Sequence, residues 1–256
     1  MLKDDIQKGI LTKFRKTIYR PFTKAVTDYN LVEENDNICV CISGGKDSFL
    51  LALLMRELEA HGNKKITVKY LVMNPGFSSF SLEEIKRNAA DLGIPITIVD
   101  SNIFDAVRNA NHKMPCYICA KMRRGCLYSE AKKLGCNKIA LGHHFDDVIE
   151  TTIMSMIHNG VFNTMLPILD SQNYEGMKLI RPLYLTREDD ILAFAKYYDL
   201  KFSTCNCPLK KEDSKRKEAK EIIKYLNTKN ENADINIFRS TENVDLDRIR
   251  GTFEQN

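Results

Sequence analysis

The chain has 256 residues, 43% hydrophobic and 28% charged, enough for one large domain or a domain with an appendage and too apolar for general disorder. No stretch approaches the apolar length of a membrane-spanning helix, and the opening "MLKDDIQKGILTKFRK" has no apolar core of a secretory signal, so a cytoplasmic protein with no membrane partner is expected. In that setting the eight cysteines should be mostly reduced, which argues against a disulfide framework.

Net charge is only +4, but Met1 to Lys24 carries seven Lys/Arg against Asp4 and Asp5. Such a basic arm suits a polyanion such as RNA, although a solvated helix face explains the same charges. Lys3 to Asn30 reads as helical, with Ile6, Ile10, Leu11, Phe14, Ile18 and Phe22 on one apolar face and Pro21 as a kink or division. "NICVCI", Asn37 to Ile42, is a short β-branched run before Ser43-Gly44-Gly45 and predicts a buried strand. An apolar helix follows to Gly62, then a strand, "KITVKYLVMN". The helix "SLEEIKRNAADLG" comes next, with a capping box of Ser81 and Glu84, and then the strand "PITIVD". Further on, "RRGCLYSEAKKLGC" reads as helix, "NKIALG" as strand, "DDVIETTIMSMIHNG" as helix, "MKLIRPLYL" as a fifth strand and "TREDDILAFAKYYDL" as a helix capped by Thr186. A second basic stretch, "KKEDSKRKEAKEIIK", follows Pro208 with acids mixed in, and the tail from Asn227 is weakly periodic and expected to be partly ordered at best.

Alternating strands and helices imply an α/β fold with a doubly wound parallel sheet. The expected organisation is a basic helical arm over 1–35, a central domain over 36–209, and a C-terminal helical extension with a polar tail over 210–256. Ligands of such sheets sit beyond the C-terminal ends of the strands.

At such an end stands "SGGKDS". Gly44 and Gly45 permit positive φ and close backbone approach. Successive N–H groups and the following helix N-terminus then form an anion cradle. Lys46 adds charge, Ser43 and Ser48 add hydroxyls, and Asp47 is placed to help hold Mg²⁺ beside a phosphate. A lone Gly-Gly is more simply a turn; strand, Ser-Gly-Gly-Lys-Asp-Ser and helix in register favour phosphate binding. The spacing is not the Walker pattern. A second signal, "LGHHFDDVIET", falls at another strand end on the same side. Asp146 and Asp147 there are either helix caps or carboxylates facing a metal or nucleotide, and His143 and His144 have a substrate or structural role.

Cys39 and Cys41 lie on the buried strand and read as core; Cys126 and Cys136 have no evident partner. Cys116-x-x-Cys119 and the distant Cys205-x-Cys207 form a pattern. Four thiols would suit tetrahedral zinc, and three would suit a 4Fe-4S cluster with one open iron. Spacing alone leaves these level.

"SGGKDS" resembles the SGGxDS signature of the PP-loop pyrophosphatases, which cleave ATP between the α and β phosphates and adenylate a carbonyl-type oxygen. "SGGKDS", "PCYICAKMRRGCLYSEAKKLGCNKIALGHHFDDVIET", "LIRPLYLTREDDILAFAK" and "CNCP", in this order, resemble the tRNA 2-thiocytidine synthetase family of PP-loop tRNA thiolases, from about Thr12 to Leu209. The resemblance implies a PP-loop catalytic domain of the adenine nucleotide alpha hydrolase-like type and ATP-dependent tRNA sulfurtransferase activity on cytidine 32. ATP would be bound by Ser43 to Ser48 with His143, and the chemistry served by Lys46, Asp47, Asp146 and Asp147. It implies a 4Fe-4S cluster on three cysteines; Cys116 and Cys119 match two, and Cys207 is the third, in a pair contracted here to Cys205-Asn206-Cys207. It also implies a sulfur donor such as a cysteine desulfurase, and a homodimer. Lys121, Arg123 and Arg124, beside the Cys-x-x-Cys pair, would steer the tRNA backbone. A PP-loop thiolase or ligase with another substrate is the alternative, and a zinc-stabilised RNA-binding module is the rival from another class.

Overall fold

Apolar side chains at every fourth position shape the first thirty residues. Ile6, Ile10, Phe14, Ile18 and Phe22 keep that spacing, which in an unbroken α-helix drifts around the axis by about 40° per step. The chain resets the drift. Helix α1 (Leu2–Leu11) ends, a turn covers Thr12 to Phe14, a π-helical turn runs over Arg15–Tyr19, and α2 (Arg20–Asp28) resumes. All five side chains are buried as a result. The expected division at Pro21 is corrected: the break precedes it, and Pro21 sits in the first turn of α2, where a missing N–H costs nothing.

The structure is a computed structural model that describes residues 2–109, 115–202 and 214–248. After α2 come β1 (Asn37–Ile42), α3 (Lys46–His61), β2 (Thr67–Asn74), α4 (Ser79–Asp91), β3 (Ile96–Asp100), α5 (Ile103–Asn109) and α6 (Pro115–Lys133). Then follow β4 (Lys138–Ala140), α7 (Phe145–Met154), β5 (Ile168–Asp170), β6 (Lys178–Ile180), α8 (Glu188–Tyr197), α9 (Ser214–Lys229) and α10 (Ala233–Ser240). The strands form one sheet in the order β3-β2-β1-β4-β6-β5. All neighbours run parallel except β5, which is antiparallel to β6 at the edge. The chain winds outward from β1 to β3, then returns to place β4 on the other flank of β1. The switch point of the sheet is therefore between β1 and β4, the position at which such sheets bind ligands.

β1 and α3 form the core. Ile38 to Val40 are wholly buried, and α3 from Phe49 to Met55 has no exposed side chain. A helix apolar all round is one covered on every side. Cys39 and Cys41 are core residues, as expected. Cys136 joins them in one apolar cluster; its hydrogen bond with Cys39, and then burial, push its thiol well above the usual range. Neutral thiols there are packing groups.

Several expectations are corrected. The fifth strand is confined to Lys178–Ile180, and Arg181 turns back to donate its N–H to Pro167 O at 2.9 Å, which pins the unforeseen edge strand β5. α5 is an addition to the expected elements, and α6 begins at the Cys-x-x-Cys pair instead of after it. The cap of α4 is Ser78, whose hydroxyl accepts from Ser81 N–H at 3.3 Å, one turn ahead of the expected box. Thr186 makes no cap for α8; Arg187 is the N-cap, without a side-chain bond. The region expected to be partly ordered at best contains α10, with Phe238 and Asp234 buried.

Contacts divide the described residues into two units, one comprising Met1–Phe145 with Leu166–Glu212 and the other Asp146–Met165 with Asp213–Asn256. The first contains the sheet and the N-terminal helices. The second contains α7 beyond its first residue, α9 and α10. Among the described residues no helix is long and apolar enough to cross a membrane.

A buried ion pair joins the segment before β1 to β4. Lys138, whose side chain is 1% exposed, lies 2.7 Å from Asp36 and 3.0 Å from Glu33, and donates to Leu31 O at 3.2 Å. Breaking such a pair strands a charge away from water. Asp36→Ala is expected to cost about 3 kcal/mol in urea unfolding, the low end of the range because Glu33 remains; a loss under about 1 kcal/mol would mean that water reaches Lys138.

Candidate active site

β1 ends at Ile42, and within three residues the chain must reverse into α3. Gly44 makes this possible at φ +92°, a conformation open to glycine at little cost. Gly45 is the N-cap of α3 in extended conformation, and no side chain caps the helix. The first-turn N–H groups, with the positive end of the helix dipole, thus face the C-terminal edge of the sheet without a side-chain oxygen on them. Ser48 braces the loop: its hydroxyl accepts from Ser43 N–H at 3.2 Å and donates to Gly45 O at 2.9 Å, and Ser43 Oγ lies 3.3 Å away.

Lys46 lies over this turn. Its Nζ is 3.1 Å from Asp47 Oδ1 and 3.1 Å from Glu188 Oε1, the latter on the first turn of α8. Burial alone would lower the Lys46 pKa; the Asp47 and Glu188 carboxylates more than offset this and hold it above the ordinary lysine value. The ammonium is charged at neutral pH.

The loop after β4 meets the same turn. Gly142 lies so close to α3 that a Cβ there would be 3.1 Å from Asp47 C and from Ser48 N. His144, 4% exposed, brings Nε2 to 3.9 Å from Asp47 Oδ1, too far for a direct hydrogen bond. His143 Nδ1 accepts from Arg181 Nε at 3.3 Å, so the neutral ring carries its proton on Nε2. The loop is held at its far end where Phe145 N–H donates to Thr186 O at 3.0 Å, and the Arg187 guanidinium lies 4.6 Å from the Phe145 ring.

Ser43 to Ser48, His143 and His144 thus belong to one unit and one sheet edge. Asp146 and Asp147 follow directly in the chain, in the first turn of α7, and belong to the second unit. There Asp147 pairs with Arg216 of α9 at 2.5 Å; Arg216 also lies 3.4 Å from Glu150, and Lys220 lies 3.5 Å from Glu150. Glu188, Arg181 and Gly142 in the first unit, and Arg216 in the second, are neighbours of the candidate residues that residue order does not single out. Of these only the Gly142 of "LGHH" carries a local signal, a glycine at a strand end.

Cys116 stands in the first turn of α6 and Cys119 at the start of its second; the helix opens at Pro115, a favoured first helical residue. Cys119 is 6% exposed, among Met73, Ile103, Phe104 and Val107. That apolar surround shields Cys119 from water, as the hydrophobic shell of a metal centre does. Cys205 and Cys207 lie outside the described residues. Lys121 and Arg124 are exposed and lie on one side of α6; Arg123, half-buried, falls one turn after Cys119 on the opposite side.

Comparison with known proteins adds to this geometry. A family model described as a PP-loop domain matches residues 13–208. The tRNA-cytidine(32) 2-sulfurtransferase of Photobacterium profundum is 36% identical over 239 residues, covering 91% of this chain and 77% of that protein. The tRNA-cytidine(32) 2-sulfurtransferase 2 of Francisella tularensis subsp. tularensis is 32% identical over 236 residues, covering 91% and 94%. Among solved structures, the U34-tRNA thiolase NcsA from Methanococcus maripaludis, with its 4Fe-4S cluster, superposes with a TM-score of 0.70 at 22% identity, covering 92% of this chain and 80% of that one. That likeness is one of fold.

The absent side chain at Gly142 provides a test. Gly142→Ala forces backbone apart by a few tenths of an ångström and is expected to weaken binding of a non-hydrolysable ATP analogue about tenfold, with about 1 kcal/mol of stability lost. Wild-type affinity in a calorimetric titration would separate the two loops' spacing from nucleotide binding.

Proposed function

Because this chain belongs to the tRNA-cytidine(32) 2-sulfurtransferase family of PP-loop enzymes, we propose that it thiolates tRNA at C2 of cytidine 32, using ATP to activate the base oxygen. The observation that carries the reading is the uncapped N-terminus of α3, turned by Gly44 onto the sheet's switch point with the Lys46 ammonium beside it.

In this reading the N–H groups of the loop and of α3 take the phosphates of ATP, and Lys46 neutralises charge that builds on the departing pyrophosphate. Asp47 would help hold Mg²⁺ beside the phosphates, whose charge the ion would offset, since one or two carboxylates with substrate phosphates suffice for that ion. His143, aimed by Arg181, presents its Nε2–H as a donor toward the nucleotide. The cytidine O2 attacks the α-phosphorus and the bond to the β-phosphate oxygen breaks, releasing pyrophosphate. O2 then belongs to an adenylate, a far better leaving group than a bare carbonyl oxygen. A sulfide-level sulfur attacks C2, and AMP leaves with the original oxygen. The chain's contribution to the first step is positioning and charge neutralisation. An unpaired anticodon-loop base suits such chemistry because its edge is accessible.

Cys116, Cys119 and Cys207 would hold a 4Fe-4S cluster, whose chemistry when bound is to offer sulfide a site on the one iron without a thiol ligand. Support comes from the water-shielded place of Cys119 near the start of α6 and from the family's cysteine pattern; the archaeal neighbour supports the fold alone. Sulfur would come from a cysteine desulfurase or another persulfide donor, its outer sulfur released as sulfide by attack of an external thiol on the persulfide, two thiols being oxidised to a disulfide for each sulfide formed. Asp146 and Asp147 are proposed to act at the nucleotide edge. Lys121 and Arg124, on the exposed side of α6, would meet the tRNA backbone, and Arg123 would face the thiol side.

Nucleoside mass spectrometry of tRNA from a strain lacking the protein tests the target: 2-thiocytidine should vanish, and loss of another nucleoside instead would reassign it. For the ligand set, anaerobically purified protein should hold about four irons with broad absorbance near 400 nm, and lose both in Cys119→Ala or Cys207→Ala while Cys205→Ala retains them. One zinc per chain in place of iron, with no tRNA-dependent AMP release, would favour the RNA-binding module.

A further inference from the structure

Glu188 takes no part in the steps above, yet it holds the cation on which the first of them depends. Its Oε1 lies 3.1 Å from Lys46 Nζ, and the two side chains are 24% and 21% exposed. Asp47 also reaches that nitrogen, but it is the next residue on the same helix, and adjacent positions do not face one another across a helix surface. Lysine is a point charge on a four-carbon stem with many rotamers, so a partner on its own helix leaves its direction loosely set. Glu188 comes from a separate element, and that element is anchored. Thr186 N–H donates to Leu183 O at 2.8 Å, Thr186 O accepts from Phe145 N–H, and the Arg187 side chain lies on Phe145. The carboxylate is therefore a fixed point from which the ammonium is aimed.

A carboxylate beside a triphosphate site also carries a penalty. It repels the phosphates it neighbours, and at such distances this is worth a measurable fraction of the binding energy. A group that served only to join α8 to α3 would not need to be charged.

We infer that Glu188 is a positioning residue of the adenylation step, holding the Lys46 ammonium across the mouth of the phosphate loop so that it meets the developing pyrophosphate charge. This rests on the ATP-dependent reading proposed above.

The test is steady-state kinetics of tRNA-dependent pyrophosphate release by the cluster-loaded full chain, for wild type, Glu188→Gln and Glu188→Asp. For Glu188→Gln, kcat should fall roughly tenfold through a misaimed lysine. KM for ATP should fall about threefold, because the repelling charge has gone. Glu188→Asp keeps the charge and shortens the reach, so kcat should fall with KM unchanged. An unchanged kcat in Glu188→Gln overturns the inference. So does a fall in kcat accompanied by a rise in KM and a lowered melting temperature, the pattern of a structural tie. Should Glu188→Gln fail to fold, Glu188→Asp carries the test, and wild-type kcat in that variant overturns the inference. Wild-type protein that releases no pyrophosphate with any tRNA overturns the functional reading instead, and with it this role for Glu188.

Discussion

The turn at Gly44 is the constraint on which the rest of the sheet edge depends. β1 is buried on both faces and flanked by β2 and β4, so it can leave the sheet only at its end, and α3 must start at once because its stretch from Ser48 to Met55 is buried throughout. A left-handed residue reverses the chain in that space, and only glycine adopts that conformation without a clash between Cβ and backbone. The consequence is electrostatic. A helix begun this abruptly has no capping side chain, and its first N–H groups look out over the edge where β1 and β4 diverge. The brace through Ser48 holds that turn from within, and the bare Cα of Gly142 lets the β4 loop approach it.

Charge in the described part of the molecule is organised by location more than by strength. Lys46 between Asp47 and Glu188, and Arg216 between Asp147 and Glu150, are partly buried pairs. Pairs of that exposure add little net stability, because desolvation offsets much of the attraction. Their value is that a long, mobile cation is confined to one direction. In the first unit the pair joins the start of α3 to the start of α8. In the second it ties α9 to α7, so the carboxylate of Asp147, read from sequence as a catalytic candidate, has its cation within its own unit. Lys138 differs from both, since it is buried and loss of Asp36 would leave its charge only partly compensated by the exposed Glu33.

Much of this was legible from residue order. The β-branched run before Ser-Gly-Gly, the continuous apolarity of "SFLLALLM" and the alternation of strands and helices foretold a doubly wound sheet, because burial on both faces removes any polar alternation. The Cys-x-x-Cys pair declared itself by spacing. Where local reading failed, a competing local choice was decided elsewhere. The four-residue apolar repeat pointed to a helix with its break at Pro21, but the core demanded one unbroken face and a π-helical turn supplied it. Ser81 and Ser78 both fit a helix cap; the helix starts at Ser79, so Ser78 is the cap and Ser81 donates to it from within the first turn. Three cations after Cys119 read as one basic turn; once the pair is in the helix itself, a step of about 100° per residue separates Arg123 from Lys121 and Arg124.

Taken by itself, the sequence determined the class of fold, the phosphate loop and the thiol pair, because each is written in residues adjacent in the chain and governed by local sterics and burial. Only the tertiary structure decided which carboxylate faces Lys46, which arginine orients His143 and which glycine lets the β4 loop approach α3. These contacts join residues whose separation along the chain exceeds any local period. Glu188 and Lys46 lie 142 positions apart, and nothing in a run of three acids after Thr-Arg says which will meet a lysine. That choice belongs to the sheet, whose strand order brings the start of α8 to the edge where β1 ends.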